Sequence, residues 1–278
     1  MSMNSINTNM GAMVALQSLN RTSDELAKVQ KRISTGLRVA DGRDDGAAFA
    51  VAERIRGDMA AATSANQQLG GVKGLLAVTS AALQNVSTSL IKLKELTVKM
   101  ADANITTTQL DQYHTQAAEI ANNIKSFIVD ASYNGNNILN DPTAATTKVI
   151  SNGTGSYYEF NTYKAITNIY NNISTISSYS TGSAVSALAP SGKLSTAISN
   201  TLTQLNNFGS YANYVDTQIN YNKAVIDAQE SGMGALVDAD LAKESARLQA
   251  LQIRQQLGTQ ALGIANQSPQ ILLNLFKG

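Results

Sequence analysis

LQSLNRTSDELAKVQKRI (16–33) sets Leu19, Leu26 and Ile33 seven residues apart, with Leu16 and Val29 between them. A seven-residue apolar interval marks a helix built to lie along another helix. At the other end, LAKESARLQALQIRQQLGTQAL (241–262) keeps this interval through Leu241, Leu248 and Leu262, with Leu251 inside it and Gln255 as a polar interruption. Ile253, Leu257, Ala261 and Ile264 draw a second apolar line, offset from the first. Two stripes at opposite ends of one chain bury each other, so the chain leaves and returns to the same place. The second line has no obvious partner within the chain. The ends are therefore expected to be complete only when sister molecules surround them. Contacts between unlike surfaces that do not close into a ring propagate as a helical polymer.

Working inward, a first helix is expected over about 6–37, broken at VADGRDDGAA (39–48), whose glycines and aspartates supply turn and cap chemistry. Helix resumes to about Ala103, with Val72, Leu76, Leu83, Val86, Leu90, Leu93 and Met100 at three-four spacing and Thr79 and Thr97 interleaved. Thr106 with Gln109 forms a capping box for a third helix, whose apolar face is Leu110, Tyr113, Ala117, Ile120, Ile124 and Phe127. Tyr133 to Asn137 reads as a tight turn, with Asn-Gly of the hairpin type. Pro142 and Pro190 bracket a Ser/Thr/Asn/Tyr-rich stretch in which YYEF and YKAITNIY alternate like short strands. The helical period returns through Leu202, Phe208, Val215 and Ile226, a second break is expected at SGMG (231–234), and Pro269 is expected to disrupt the last helix.

The fold class is therefore mainly α. Residues 1–43 with 235–278 form a terminal coiled coil, 44–142 with 190–234 a long-helix bundle, and 143–189 a short β or irregular surface insert whose deletion is expected to spare assembly. Tyr157, Tyr158, Tyr163, Tyr170 and Tyr179 serve either a gripping surface or a small β-rich core, and the core is preferred.

Composition narrows the function. The 278 residues carry a net charge of +1 with acids and bases interspersed, so neither nucleic acid nor an anionic membrane is indicated as a partner. Absence of cysteine removes disulfides, thiolate metal sites and thiol catalysis. The N-terminus lacks a basic region and an apolar run, so no cleavable secretory signal is read, and no run approaches the ~20 residues of a membrane span. The chain is expected to stay in the cytosol or to leave by a route needing no such signal.

The search for chemistry assigns no catalytic, cofactor-binding or metal residue. GGVKGLL (70–76) lacks the spacing of a phosphate loop. A calcium loop starting at Asp41 would put Arg43 where an oxygen ligand belongs and Ala52 where a bidentate Glu belongs, so Asp44 and Asp45 are read as helix caps. His114 is the single histidine and stands beside Tyr113 and Thr115, with no acid or nucleophile pattern; a partly exposed helix position is expected. Glu53, Glu95, Glu119 and Glu230 occur singly on helices, Glu95 in reach of Lys99. An enzyme is the least supported class.

The ends resemble bacterial flagellin. The residues that carry the resemblance are INTNMGAMVALQSLNRT (6–22), RISTGLRV (32–39), DDGAAFAVAERI (44–55) and ESARLQALQIRQQLGTQALGIANQSPQILLNLF (244–276). It covers 1–140 and 191–278 and is weak over 143–189, where flagellins vary. The resemblance implies a non-enzymatic subunit of the flagellar filament, the propeller of swimming motility. It implies self-association into a helical homopolymer, alone or mixed with related flagellins, with terminal helices lining a central channel. Expected inner contacts are Leu16, Leu19, Leu26, Ile33, Leu241, Leu248, Leu251, Leu257 and Ile264. It further implies type III export of the unfolded chain, transiently cytoplasmic and then secreted, with export apparatus, chaperone, filament cap and hook-associated proteins as partners and no cofactor. The family's immune-receptor segment aligns with IKLKELTV (91–98), giving Lys92, Leu93, Lys94 and Glu95. Lys92 and Lys94 replace arginines there, which removes planar bidentate pairing. The alternatives are a hook–filament junction protein and an adhesion module carried by the Tyr-rich insert.

Overall fold

A computed structural model describes residues 8–143 and 145–276, with side chains through Gln267. Seven α-helices and one two-stranded sheet are found among these residues: α1 (Met10–Thr35), α2 (Gly46–Met100), α3 (Thr107–Val129), β1 (Thr146–Ile150), β2 (Tyr157–Asn161), α4 (Asn171–Ile173), α5 (Thr181–Leu188), α6 (Lys193–Val237) and α7 (Leu241–Phe276). The chain divides into two compact units, Met1–Gly57 with Ala228–Gly278, and Asp58–Asp227.

Local chemistry sets most boundaries. Asn9 caps α1, its side-chain oxygen accepting from the Ala12 amide at 3.0 Å. The helix stops because Gly36 takes φ 71° and its amide turns back to the Arg32 carbonyl, a conformation that favours glycine. α1 thus ends two residues before the expected Leu37, while residues 6 and 7 of its expected start lie outside the described residues. Asp45 caps α2 through the Ala47 and Ala48 amides. Asp44 does not cap; it accepts from the Ala40 amide and from Lys31. Gly70, Gly71 and Gly74 leave α2 uninterrupted. The box of Thr106 and Gln109 opens α3 as read. Burial on α3 falls on Ala117, Ala121, Ile124 and Ile128, so the expected face is rotated by one position at its end and Phe127 is exposed. Asn134 and Gly135 both take positive φ, as Asn-Gly hairpin turns do, but a single bridging pair, Tyr133 with Asn136, replaces extended strands.

Three expectations fail for identifiable reasons. SGMG does not break the chain: α6 continues to Val237, and the break falls at Asp238–Asp240, where Asp240 caps α7 through the Lys243 amide. Two glycines weaken a helix by about 1 kcal/mol each, too little to end one this long. α7 likewise passes Pro269 and runs to Phe276; proline's fixed φ is helical, and the local loss is one hydrogen bond and some crowding. YKAITNIY is not a strand. Ile166–Tyr170 is π-helical and leads into α4 and a 3-10 turn at Ile176–Ser178. Its alternation is short, whereas Ile166, Ile169, Ile173 and Ile176 repeat every three to four residues, and the last three are fully buried.

In Asp58–Asp227 one continuous core joins Leu76, Leu83, Leu90, Ile124 and Phe208 of the long helices to Val149, Phe160, Ile169, Ile173, Ile176 and Ala184 of the 143–189 segment. Thr79 and Thr97 are buried in it, each hydroxyl donating to a carbonyl one turn back, Leu75 and Leu93. β1 and β2 pair antiparallel from Thr146 with Asn161 to Ile150 with Tyr157. The end of this hairpin is seated on the helices. Buried Asn222 donates to the Ser151 carbonyl at 2.8 Å and to Asn66 Oδ1 at 3.0 Å, and accepts from Gln218. Gly153 lies so close to α2 that a Cβ there would stand 2.9 Å from the Ala62 nitrogen. His114 Nε2 donates to the Tyr179 carbonyl at 2.8 Å, tying α3 to the same segment. The segment is read from the sequence as a surface insert, and its buried residues nonetheless share the core of this unit.

In the other unit, the turn after α1 crosses the turn before α7. The Arg38 and Val39 amides donate to the Val237 carbonyl and the Ala239 amide to the Gly36 carbonyl. Val39, Ala52 and Val237 form a small core there, flanked by Leu37, Phe49 and Met233. α2 contains one 18-residue window of mean hydropathy 1.2 and is, among the described residues, the one helix long and apolar enough to cross a membrane by composition. That corrects the expectation of no such stretch. α2 sends Leu69, Leu76, Leu83 and Leu90 into a protein core.

Candidate assembly surface

α1 and α7 lie antiparallel, and four contacts set their register. The Asn9 amide nitrogen donates to the Ala265 carbonyl at 2.7 Å, so one side chain both starts α1 and ties it to α7. Leu19 occupies the space over Gly258, where a Cβ would lie 3.3 Å from Leu19 Cδ1. Glu25 meets Arg247 at 3.6 Å, and Arg32 meets Glu244 at 3.1 Å. Glu244 is buried, and its second carboxylate oxygen has no hydrogen-bond partner among the described residues. Lys31 bridges α1 to the following turn through Asp41 at 2.8 Å and Asp44 at 3.0 Å. Hydrogen bonds from Lys31, joined by the Arg43 and Ala40 amides respectively, hold both carboxylates below their ordinary pKa, and the two acids raise that of Lys31.

This pairing covers only part of the apolar surface. Val29 and Leu251 are the fully buried residues of the seam, each 2% exposed. Leu19, Leu26, Ile33 and Leu248 are half-buried along its margins. Leu16, Leu241, Leu257 and Ile264 stay exposed, Leu257 at 58% and Ile264 at 70%. Leu257 and Ile264 belong to the second apolar line of α7, and Ile253 on the same line is exposed as well. Met10, Met13 and Val14 add to the uncovered surface of α1; they lie outside the seven-residue interval, and their sequence signal is the dense apolar run MGAMVAL (10–16).

Elsewhere, Lys92, Lys94 and Glu95 project from the exposed side of α2 while Leu93 is fully buried. Among the described residues Glu95 makes no ion pair with Lys99, and of the four singly spaced glutamates only Glu53 forms a salt bridge, with Arg56. The tyrosines are mostly structural. Tyr158 stacks on Tyr214 at 3.7 Å between ring centres, Tyr163, Tyr170 and Tyr179 pack against the core, and Tyr157 is exposed. The core reading of the aromatics therefore holds, in a setting more helical than β. No group of three or more potential metal ligands occurs among the described residues.

Comparison with known proteins accounts for the long paired termini. The family profile of the bacterial flagellin N-terminal helical region matches residues 6–144, and that of the C-terminal helical region matches 192–276. Flagellin FljK of Caulobacter vibrioides is 35% identical over 277 residues, all of both chains. A flagellin of Brucella melitensis is 34% identical over 284 residues, covering 99% of this chain and all of its own. The crystal structure of Bacillus cereus flagellin aligns with a TM-score of 0.49 at 19% identity, over 56% of this chain and 88% of that one. Neither a junction protein nor an adhesion module is favoured by relatives named flagellin along their whole length. The chain belongs to the bacterial flagellin family, structural subunits that polymerise into the extracellular flagellar filament.

Proposed function

We propose that the uncovered apolar side of the α1–α7 pair is the surface on which successive copies bind as the filament grows. The observation that carries this is the exposure of Leu16 on α1 and of Ile253, Leu257 and Ile264, the second apolar line of α7, on helices already paired with each other. Isolated exposed leucines are ordinary, but a row of them along one helix pair marks an interaction surface. In this reading, residues 1–43 with 235–278 form the filament core, 44–142 with 190–234 the surrounding shell, and the outward parts of 143–189 face solvent. Lys92, Lys94 and Glu95 are then available at the shell for neighbouring copies or an immune receptor. The subunit is exported through the flagellar apparatus after a transient cytoplasmic stage, escorted by a chaperone and positioned by cap and hook-associated proteins. Family membership supports these partners, and the marginal self-coverage of the ends suits passage as an unfolded chain.

Seeded elongation tests the assembly role. Substituting Leu257→Ser removes a side chain that contributes roughly 1.5–3 kcal/mol on burial, so the critical concentration should rise at least tenfold while the monomer's helix content is unchanged. Elongation at the parent rate would overturn the assignment.

A further inference from the structure

We propose that Met10 and Met13 make assembly sensitive to oxidation: peroxide converts them to sulfoxides in the free subunit, and a subunit so modified no longer adds to a filament. The inference rests on the proposed burial of the uncovered α1 surface in the filament. Met10 and Met13 are 63% and 60% exposed, one helical turn apart near the start of α1. The contrast with the remaining described methionines gives selectivity. Met100 is fully buried, and Met59 and Met233 are half-buried.

A methionine thioether is an unbranched apolar group suited to filling irregular gaps, whereas its sulfoxide is polar and chiral. In the reaction the sulfur lone pair forms a bond to one peroxide oxygen as the O–O bond breaks. Sulfur loses two electrons, peroxide gains them, and the second oxygen departs as water. Each new S=O is a strong hydrogen-bond acceptor, and the residues one turn on from Met10 and Met13 include the exposed apolar Val14 and Leu16. Nothing in that apolar set donates to it, so burial against another copy would strand the acceptor. Oxidation also leaves the α1–α7 contacts of Asn9, Glu25 and Arg32 untouched, because none uses a methionine. The modified monomer should therefore keep its fold and fail in addition.

The test treats the full-length free subunit and the finished filament with hydrogen peroxide, maps the modified methionines by mass spectrometry, and measures seeded elongation. The expected result is rapid oxidation of Met10 and Met13 in the free subunit, protection in the filament, and at least a tenfold rise in critical concentration. Sulfoxide reductases for both epimers should reverse that rise, and the Met10→Leu/Met13→Leu variant should elongate normally before and after peroxide. Equal reactivity in subunit and filament would sink the burial reading on which the inference rests. Protection in the filament with normal elongation of oxidised subunits would overturn the inference alone. A Leu variant that still loses elongation after peroxide would overturn it too, by placing the sensitive residue elsewhere.

Discussion

Replacing Asn222 by Ala should unseat the β1–β2 hairpin from the helices it rests on. The Asn222 side chain is buried and makes three hydrogen bonds, two donated to Ser151 and Asn66 and one accepted from Gln218. Each contributes about 0.5–1.5 kcal/mol net, and the Ser151 carbonyl, itself in a buried residue, loses the donor that reaches it across the fold. A loss of about 2–4 kcal/mol follows. For a unit the size of Asp58–Asp227, each kcal/mol lowers Tm by about 2–4 °C, so the main thermal transition should fall by roughly 5–15 °C. Far-UV circular dichroism measures the transition, and hydrogen exchange at the Ser151 and Gly155 amides, which close the hairpin end, should accelerate in parallel. Asn222→Asp keeps the acceptor for Gln218 but sets a carboxylate against two oxygens and should fall at least as far. A Tm within about 2 °C of the parent, with hairpin exchange unchanged, would refute the view that the segment is bound into the core.

Three further outcomes follow from the same geometry. Gly153→Val should free the hairpin end by collision with the Ala62 backbone, speeding hydrogen exchange there without altering α1 or α7. Arg32→Ala should destabilise the α1–α7 pair by about 1–3 kcal/mol, below the range for a fully buried pair because Arg32 remains 30% exposed; adding Glu244→Leu should recover most of the loss in urea titrations. Asp141 is held down to about 2 by the Thr143 hydroxyl and amide and the Thr162 hydroxyl. A carboxylate with a depressed folded pKa adds stability above its unfolded value of about 4, and that stability disappears as pH falls towards 2. Asp141→Asn should flatten the acid limb of the stability profile in that window.

Much of the architecture was legible because its signals are local and repeated. The capping box of Thr106 and Gln109 and the YYEF strand each sit within a few residues of chain and appear where read, and both terminal stripes lie on helices. The failures share a cause, which is competition between a weak local signal and a longer period around it. SGMG offered two glycines against a 45-residue helix, and YKAITNIY offered alternation against an isoleucine repeat that the core selected. Burial of the 143–189 segment was hidden by its composition. Its Ser, Thr and Asn are mostly turned outward while a sparse set of Ile, Ala and Phe reaches the core. Asn222 was beyond reach, since its partners lie 71 and 156 residues away. On the candidate surface, the apolar lines of α7 were visible, but which residues stay uncovered depends on the α1–α7 register, set by Asn9, Leu19 and Arg32 with partners more than 200 positions distant.

The absence of cysteine from the chain permits the most direct test of the central claim, that the terminal helices are finished by neighbouring copies. Single Leu257→Cys and Ile264→Cys variants are labelled with a thiol reagent as free subunits and as filaments, with exposed Tyr157→Cys as the outward reference. Both α7 positions should react readily in the subunit and be protected at least tenfold in the filament, while position 157 reacts equally in both. Equal labelling of positions 257 and 264 in subunit and filament would contradict the account.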